Sequence, residues 1–594
     1  MIEPRIYRAA FIPAVLAVVL VMFSLENRPR PVPQGLAADV LFDGRIALRE
    51  LRAIVATWPD RRPGTATSAE LAGNLTERFR ALEPEGFQTV VDSWEENGEP
   101  LVNVIARRPG ETREQIVVMA ARDSHSVPDA TGSAADTAAL LELARVIKGR
   151  PSSKTLVLAS VDGSTLGDAG ARRFAETAED RDRIESVIVI SNLGASASHG
   201  PRVIAWSTDD RRGSVGLQRT ATASVREELG VTPSEEGALG QFVRLAHPLG
   251  LGAQGPLLAR DIEAIRISGS GELPPPEDRR GLEDVSADTL GQLGRATLRL
   301  LSALDGATAP PEHGPRSYVA VSRKLLPGWV LAAFAAALLL PALVASVDAL
   351  ARARRRREAA PGWWQSFALR ALPLAAAFAM AELLVLVGQA PDAGAAATAP
   401  SVHPLDGEAA AALGATAATA ALVWLLLRPR LRRRADRADS GGAGATTALA
   451  LSAAVALVWV LNPFAALVLV PAVHLWMLAM LSGARLRGRT AAVLVLAGLA
   501  PLVVAAVVYL DRLALDPLEG LWYLWVLVTG HAINPLTTLL ACAVGGIAAT
   551  ALTLIASRVG EPPLPEPERP PLRGPGGHAG PGSLGGTPST LTRR

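Results

Sequence analysis

The sequence predicts a chain of two parts, a three-layer α/β domain and an all-α domain of several transmembrane helices. Hydrophobic residues make up 49% of the 594 residues, and this share does not include glycine. A typical soluble domain reaches about 45–50% only when its glycines are included. The long apolar runs lie near the N-terminus and after Leu325, and the stretch between them has the composition of a soluble domain. Predicted strands alternate with predicted helices in that stretch, which favours a central, mostly parallel sheet.

Charge and composition narrow the possible functions. The net charge of +2 gives no sign of a nucleic-acid partner, because nucleic-acid-binding proteins usually carry a marked basic excess. Nearly all basic residues are arginines and the chain is rich in Ala and Gly, which is typical of a GC-rich bacterial genome. The single cysteine, Cys542, excludes a disulfide within the chain and a cysteine-based metal site.

An N-terminal membrane anchor is predicted over residues 1–24. Residues 9–23 are apolar, Arg5 and Arg8 precede them, and no small-x-small cleavage site follows, which favours an uncleaved anchor over a signal peptide. The two arginines are expected to keep the N-terminus in the cytoplasm. A Pro-rich linker is predicted over residues 25–36.

The α/β domain is predicted over residues 37–322. Its predicted helices are 45–58, a helix capped by Ser68 that runs to Leu82, 134–148, 213–229 and 286–304. Its predicted strands are 87–94, 101–106, 116–120, 155–160, 187–190, 202–205 and 262–267. Strands 116–120 and 155–160 each end in a polar loop that leads into a helix. Loops at the carboxyl ends of neighbouring strands are where α/β enzymes build their sites.

The order and spacing of several segments resemble the di-zinc aminopeptidase family, which includes aminopeptidase Y and the glutamate carboxypeptidase II catalytic domain. The similarity spans residues 46–304. Its segments are RRPGT at 61–65, LVNVIARRPG at 101–110, VVMAARDS at 117–124, AALLELAR at 138–145 and LVLASVDGSTLGDAGARRFA at 156–175. The resemblance implies a zinc-aminopeptidase-like fold with two zinc ions, a bridging carboxylate and a Glu general base.

The positions that this resemblance assigns to ligands and base carry no imidazole or carboxylate. In chain order they are Ala121, Gly132, Ser164, Thr165 and Ser191. Ala121 stands for the first His, Gly132 for the bridging Asp, and Ser164 with Thr165 for the Glu-Glu pair that supplies base and ligand. The last His falls on Gln254 or Gly255. We therefore expect a peptidase-like fold without a metal centre, catalytic residues or cofactor.

A cleft at the carboxyl ends of the strands is still a candidate binding site. Its candidate residues are Asp123, Ser124, His125, Asp162 and Asn192. Asp123 and Asp162 also fit a second role, in which turn carboxylates accept hydrogen bonds from loop backbone N–H groups. A weak metal site of His125 with Asp129 or Asp162 stays open as an alternative, and so does a solvated loop position for His125.

The C-terminal part, residues 325–557, is predicted to hold about seven transmembrane helices, and residues 558–594 are predicted to form a disordered tail rich in Pro and Gly. The predicted spans are 329–350, 367–387, 409–427, 446–461, 464–481, 491–510 and 535–556. Arg-rich loops alternate with Arg-poor loops. By the positive-inside rule, this alternation places the α/β domain outside the cytoplasm. We expect the protein to lie in the plasma membrane.

Residues 521–528 are too short to span a bilayer alone. They are expected to form a re-entrant or interfacial segment with Trp522, Tyr523 and Trp525 at the headgroup level. With the N-terminal anchor the count is eight spans, or nine if this segment crosses.

Glu382 lies deep inside the span 367–387. An ionisable residue at that depth is a functional candidate, because charged groups are costly in hydrocarbon. His474 or Arg370 is the expected partner, and a structural hydrogen bond between helices is the alternative.

The layout of one anchor, a peptidase-like domain and about seven further spans resembles the attachment subunit of the GPI transamidase. It also resembles the endoplasmic-reticulum metallopeptidase group, which keeps the zinc ligands. The sequence thus predicts a membrane-anchored, catalytically inactive peptidase-like protein that binds a peptide or protein partner outside the cytoplasm. Two alternatives stay open: an active aminopeptidase with relocated ligands and zinc, and a transport or lipid-handling membrane protein with an accessory outer domain.

Overall fold

The structure is a computed structural model that describes residues 3–33, 41–195, 200–358, 363–435, 441–481 and 485–560. It contains an α/β domain with a mixed sheet and a C-terminal all-helical region with several long apolar helices. Both parts of the predicted fold class are therefore confirmed. The predicted tail lies, from residue 561 onward, outside the described residues.

The described strands form two sheets, one of three strands and one of seven. They are β1 (Glu26–Asn27), β2 (Gln88–Glu96), β3 (Glu99–Arg108), β4 (Gln115–Ala121), β5 (Thr155–Val161), β6 (Ile184–Ser191), β7 (Arg202–Ile204), β8 (Ala264–Ser268), β9 (Tyr318–Val321) and β10 (Lys324–Pro327).

The α-helices alternate with strands up to residue 305 and then follow one another through the C-terminal region. They are α1 (Pro4–Ala9), α2 (Ile12–Phe23), α3 (Gly44–Thr57), α4 (Ala66–Arg80), α5 (Ala135–Ile147), α6 (Ala169–Thr177), α7 (Val215–Leu229), α8 (Ala238–Ala246), α9 (Gln254–Leu258), α10 (Ala287–Asp305), α11 (Gly328–Arg355), α12 (Trp363–Leu386), α13 (Gly407–Ala435), α14 (Gly441–Leu461), α15 (Pro463–Leu481), α16 (Gly488–Leu513), α17 (Pro517–Thr529) and α18 (Pro535–Ser557).

The seven-stranded sheet has the order β2-β3-β5-β4-β6-β8-β7. Strands β5, β4, β6 and β8 run parallel at its centre, and antiparallel strands close both edges. Strand β4 has β5 on one side and β6 on the other, so the connections diverge at this point. A crevice opens beyond the carboxyl ends of the strands at such a switch point. Those ends are Ala121, Val161, Ser191 and Ser268.

Side chains of the central strands are buried on both faces of the sheet. Ile116 and Val118 of β4 pack with Ile188 on the face that α3, α5 and α10 cover. Val117 and Met119 pack on the opposite face, in a cluster that includes residues of α6 and α9. Strands buried on both faces have continuous apolar sequences, which is why β4 is recognisable in the sequence.

Several local features differ from the sequence predictions. Helix α4 is capped by Thr65, whose Oγ1 accepts a hydrogen bond from Ser68 N at 3.2 Å, so Ser68 lies in the first turn and is not the cap. Helices α8 and α9 and strands β9 and β10 are not predicted, because elements of one or two turns carry too short a hydrophobic pattern.

Among the described residues, eight helices are long and apolar enough to cross a membrane, judged by length and composition. They coincide one to one with the eight predicted spans and indicate a membrane protein. Helix α17, with 13 residues, contains the segment 521–528 and is not one of the eight.

The Arg-poor connections between these helices contact the α/β domain. Asn462, between α14 and α15, donates a hydrogen bond from Nδ2 to the last turn of α8 at 2.9 Å. Arg512, at the end of α16, pairs with Glu236 of the domain. At the other end of the helices, Glu3 lies 3.7 Å from Arg352. The Arg-poor loops thus share one side with the α/β domain.

Two neighbouring strands join the α/β domain to the membrane helices. Strand β1 follows α2 and β10 precedes α11, and the two pair antiparallel with Glu26 opposite Leu325. Strand β9 completes this small sheet. Hydrogen-bonded strands fix both connections relative to each other. The residues directly after the anchor therefore form a strand, where the sequence predicts a linker.

Close packing of α18 on α12 at Gly546 gives a stability prediction. A Cβ atom at Gly546 would lie 2.5 Å from Phe367 O and 2.8 Å from Ala371 N. Helix backbone cannot yield as a flexible side chain can, so Gly546→Val should cost about 1–3 kcal/mol. The control is Gly414→Val, because nothing lies within 4 Å of a Cβ atom there. The thermal unfolding temperature of the full chain should fall only for Gly546→Val. Equal decreases for the two variants would contradict this packing.

Candidate functional site

A cleft of about 700 Å³ opens at the carboxyl edge of the central strands. The polar residues that the α/β domain contributes to its lining are Asp123, His125, Asp129, Ser133, Asp136, Ser164, Asp168, Ser191, Asn192, Arg266 and Glu272. Three of the predicted cleft residues, Asp123, His125 and Asn192, are in this lining. The structure therefore brings these three predicted residues together, along with carboxylates and an arginine that were not predicted as cleft residues.

Asp123 follows β4 and holds the loop that follows β5. Its Oδ2 accepts hydrogen bonds from Ser164 N and Ser164 Oγ, both at 2.8 Å, and from Thr165 N at 3.4 Å. Its Oδ1 is buried and has no hydrogen-bond partner in the described part of the chain. Burial, and then the charge of Asp162, raise the pKa of Asp123 to about 7. One oxygen thus orders a loop while the other stays available.

Asp162 and Ser124, two other predicted cleft residues, are turned away from the cleft. Asp162 Oδ2 lies 2.6 Å from Arg122 Nη2, and both side chains are almost fully buried. Ser124 Oγ accepts a hydrogen bond from Arg61 N at 3.2 Å. A buried ion pair is costly to break, so Asp162 stays bound to Arg122 beneath the cleft. Ser124 joins two loops.

Two more carboxylates reach the cleft from the starts of helices. Asp136, in the first turn of α5, accepts hydrogen bonds from Asn192 N and Leu193 N at 2.9 Å. Burial raises the pKa of Asp136 to about 8. Burial also raises the pKa of Asp168 to about 7, and Arg266 opposes the shift. Both carboxyl groups therefore bind and release protons near neutral pH.

Arg266 places a positive charge among these carboxylates. It lies on β8, is 6% exposed, and donates a hydrogen bond from Nη2 to Glu272 O at 2.9 Å. Burial lowers the pKa of Arg266, and the charges of Glu272, Asp168 and Asp136 oppose that shift. The sequence signal for Arg266 is a lone arginine inside the strand AIRIS.

The positions that stand for the zinc ligands lie at or next to this cleft. Ala121, Ser164 and Ser191 line it. At Gly132, a Cβ atom would lie 2.6 Å from Asp129 Oδ1. The Asp129 carboxylate therefore fills the space in which a side chain at position 132 would begin.

The residues present do not fit a di-zinc centre. Zinc takes three or four nitrogen, sulfur or carboxylate ligands that converge on one point. Among the residues that the structure describes, no group of three or more His, Cys, Asp or Glu side chains could hold a metal ion. Asp162, one predicted partner of a relocated site, is bound to Arg122.

His125 is half-buried and not a solvated loop residue as the alternative interpretation holds. Its Nδ1 is enclosed and makes no hydrogen bond within the described segments. Burial lowers the pKa of His125, while the charge of Asp129 opposes the shift. His125 is therefore a neutral side chain at neutral pH, with one unused ring nitrogen.

A segment from the helical region covers part of the cleft. Residues 397–399, from the connection between α12 and α13, line the cleft directly. Ala396 lies close to Gly167, because a Cβ atom added at Gly167 would be only 2.9 Å from Ala396 Cβ. The cleft therefore faces the membrane helices and not open solvent on this side.

The aromatic residues of α17 hold this covering segment. Tyr523 OH donates to Thr398 O at 2.7 Å, and Trp522 Nε1 donates to His403 O at 2.9 Å. Trp522 and Trp525 stack with ring centroids 4.8 Å apart. All three aromatic side chains are buried within the protein, and their position at the headgroup level stays a prediction.

Glu382 pairs with neither predicted partner. Its Oε2 lies 3.3 Å from His531 Nε2, at the break before α18. His474 instead lies 2.7 Å from Tyr7 OH and 2.9 Å from Leu338 O. Glu382 and His531 are far apart in sequence, and no local pattern links them.

The buried pair beneath the cleft gives a second stability prediction. Arg122→Leu leaves Asp162 buried without its partner, which should cost about 3–5 kcal/mol of folding free energy. The double variant Arg122→Leu/Asp162→Leu should recover most of this loss. The exposed pair Arg78 and Glu50 is the control, and Arg78→Leu should cost no more than about 1 kcal/mol. If thermal unfolding shows that Arg78→Leu lowers the unfolding temperature as much as Arg122→Leu does, the proposed role of the buried pair in stability is refuted.

Comparisons with known proteins bear on the α/β domain. No curated protein matches the chain. A glutaminyl cyclase from an Acidobacteriales bacterium is 15% identical, covering 44% of this chain and 95% of that one, with a TM-score of 0.36. The LapA aminopeptidase of Legionella pneumophila is 12% identical over 46% of this chain and 75% of its own, with a TM-score of 0.39. BSAP, a zinc aminopeptidase from Bacillus subtilis, is 13% identical over 48% of this chain and 99% of its own, with a TM-score of 0.35.

A match to a family model locates the similarity on the chain. Residues 103–238 match the model of Peptidase family M28. The matched residues include β4, β5 and β6 and all of the predicted cleft positions from Asp123 to Asn192. The predicted aminopeptidase-like fold is confirmed: the α/β domain is similar to Peptidase family M28.

Proposed function

We propose that this is a catalytically inactive, peptidase-like protein of a bacterial plasma membrane, whose outer domain binds a peptide or protein partner outside the cytoplasm. The observation that carries the proposal is the buried Arg266, which lies among Asp136, Asp168 and Glu272. The resemblance places metal ions at this edge of the sheet. A guanidinium there supplies a fixed positive charge to carboxylates that would otherwise be free to bind a metal.

The residue at the position of the general base supports an inactive site. Ser164 stands there, and its hydroxyl donates a hydrogen bond to Asp123. A serine hydroxyl does not accept a proton from water near neutral pH, whereas a general base needs a pKa near the working pH. The layout similar to the GPI transamidase attachment subunit, whose peptidase-like domain lacks a full zinc site, supports the same role by analogy alone.

The charge of the cleft indicates the class of partner. Its lining contains five carboxylates, those of Asp123, Asp129, Asp136, Asp168 and Glu272, and a single guanidinium, that of Arg266. Asp123 Oδ1 is buried without a hydrogen-bond partner among the described residues. A buried carboxylate without a partner is stabilised by a cation. The α-amino group of a peptide or protein chain is a cation of suitable size and chemistry.

Access to the cleft involves the membrane helices. Residues 397–399 line the cleft and are bonded through Thr398 to Tyr523 on α17. A peptide that fills the cleft has to displace these residues. Partner binding in the outer domain would therefore change the contacts of α12, α13 and α17.

An active metal-dependent aminopeptidase is the second candidate. One observation favours it: His125 Nδ1 and Asp123 Oδ1 both line the cleft and both lack hydrogen-bond partners in the described structure. A metal ion bound by these two atoms would have ligands at other positions than those that the resemblance assigns to zinc. Stoichiometric metal in the purified protein distinguishes this candidate from the first.

Peptide binding to the full-length protein tests the proposed function. A peptide with a free α-amino group should bind at least about tenfold more tightly than its acetylated form, which corresponds to about 1.4 kcal/mol. Asp123→Asn should remove most of this difference, because it replaces the carboxylate whose Oδ1 has no hydrogen-bond partner among the described residues. The control is Asp92→Asn. Asp92 lies on β2, outside the cleft, and its carboxylate pairs with Arg173 of α6. Calorimetry that finds equal affinities for the free and acetylated peptides would refute the proposal.

The raised pKa values predict how this binding depends on pH. Asp123 and Asp168, with pKa values of about 7, and Asp136, at about 8, are partly protonated at neutral pH. A cationic ligand favours their ionised forms, so affinity should rise from about pH 6 to about pH 8 as protons are released. It should fall at higher pH, because the α-amino group loses its charge with a pKa of about 8. A flat profile would contradict a role for these carboxylates.

A further inference from the structure

A second cavity lies in the α/β domain beside the membrane helices. Its walls come from the segment after α2, from β7, α7 and α8, and from the hairpin of β9 and β10. The arginines in its lining are Arg28, Arg202, Arg212, Arg219 and Arg244. We call it the arginine cavity. Its lining also contains three carboxylates, those of Glu235, Glu236 and Glu272.

Arg212 is held rigidly at the centre of this lining. It is 4% exposed, and its guanidinium carbon lies 4.0 Å from the ring centroids of both Trp206 and Tyr318. Its Nη1 donates hydrogen bonds to Gln241 Oε1 at 2.8 Å and to Tyr318 O at 2.9 Å. None of its contacts in the described structure is an ion pair with a carboxylate. Two aromatic faces and two neutral acceptors orient the group without neutralising it.

Two more arginines of the cavity also lack a carboxylate partner. The side chain of Arg202 makes no hydrogen bond or ion pair with any described residue, and its Nε is buried. Its charge repels that of Arg512 nearby. Arg219 donates hydrogen bonds only to the main-chain oxygens of Arg28 and Pro29.

The carboxylates of the cavity are already bound to other arginines. Glu235 pairs with Arg28 at 2.9 Å. Glu236 and Glu272 pair with Arg244, and both also lie against Arg512 at the end of α16. The cavity therefore has an excess of positive charge that its own acidic residues do not offset. Partly buried guanidinium groups without a counter-ion are costly unless an anion joins them.

The cavity lies at the level where the membrane helices end. Arg28 follows the last residue of α2, Phe23, by five positions, and Leu325 of β10 lines the cavity three residues before α11 begins. Arg512 is in the last turn of α16. Groups that directly follow the ends of membrane spans lie at headgroup depth.

We propose that the arginine cavity binds a phosphate group, supplied by a phospholipid headgroup or by a soluble phosphate. A tetrahedral phosphate accepts hydrogen bonds from several guanidinium forks at once, which makes it the anion that an arginine cluster of this kind recognises best. Arg202 and Arg212 contribute the unpaired forks. The cavity and the cleft share Glu272 in their linings, and its carboxylate is already paired with Arg244. The phosphate proposal uses Arg202 and Arg212, which do not line the cleft, so it does not depend on the proposed peptide binding.

The test uses the full-length protein, stripped of lipid in a detergent without phosphate. One arm titrates inorganic phosphate at constant ionic strength, and the other titrates phosphatidylglycerol in mixed micelles. The unfolding temperature should rise saturably in at least one arm. A rise with the lipid alone assigns the site to a headgroup, and a rise with both assigns it to any accessible phosphate.

Variants decide whether the cavity is the site. Arg202→Gln should weaken the response at least about tenfold, because one charge-assisted contact is lost. Arg212→Lys keeps the charge but loses the fork, and should weaken it as well. Arg260→Gln removes a charge of the same domain that pairs with Glu176 outside the cavity, and should change nothing. No saturable rise in either arm, or equal responses of Arg202→Gln and Arg260→Gln, would overturn the proposal.

Discussion

The burial of Arg266 among carboxylates is the interaction on which the cleft depends. Asp136, Asp168 and Glu272 line the same cleft as the Arg266 guanidinium, and their charges act on it. Carboxylates gathered in a buried site repel each other and lose hydration, so a cation is needed to keep them together. A metal ion is one such cation, and an arginine side chain is another. With Arg266 in place, the acidic crevice contains a fixed positive charge.

The membrane helices form part of this crevice. Residues 397–399 line it, α17 holds them through buried aromatic side chains, and Arg512 ties the end of α16 to the same domain. The strand pair of β1 and β10 fixes the two chain connections at one point. The α/β domain and the helical region are therefore joined at several points, and residues of both parts line the cleft.

Much of the fold can be predicted because it depends on local patterns. β4 and the eight apolar helices are recognisable from continuous apolar sequence, and the position of the cleft follows from the polar residues after β4 and β5. The direction of individual side chains cannot be predicted in this way. Asp162 turns inward because Arg122 is buried there, and His531 meets Glu382 from a distant part of the chain. Such pairings arise only when the chain is folded, since they join segments that share no local signal.

The central claim is that the cleft is a peptidase-like framework in which a guanidinium, not a metal, balances the carboxylates. The most direct measurement is the zinc content of the full-length protein after incubation with zinc and removal of the unbound metal. The account predicts no stoichiometric zinc and no release of an amino acid from an aminopeptidase reporter. One or two zinc ions per chain, together with release of the reporter, would contradict it.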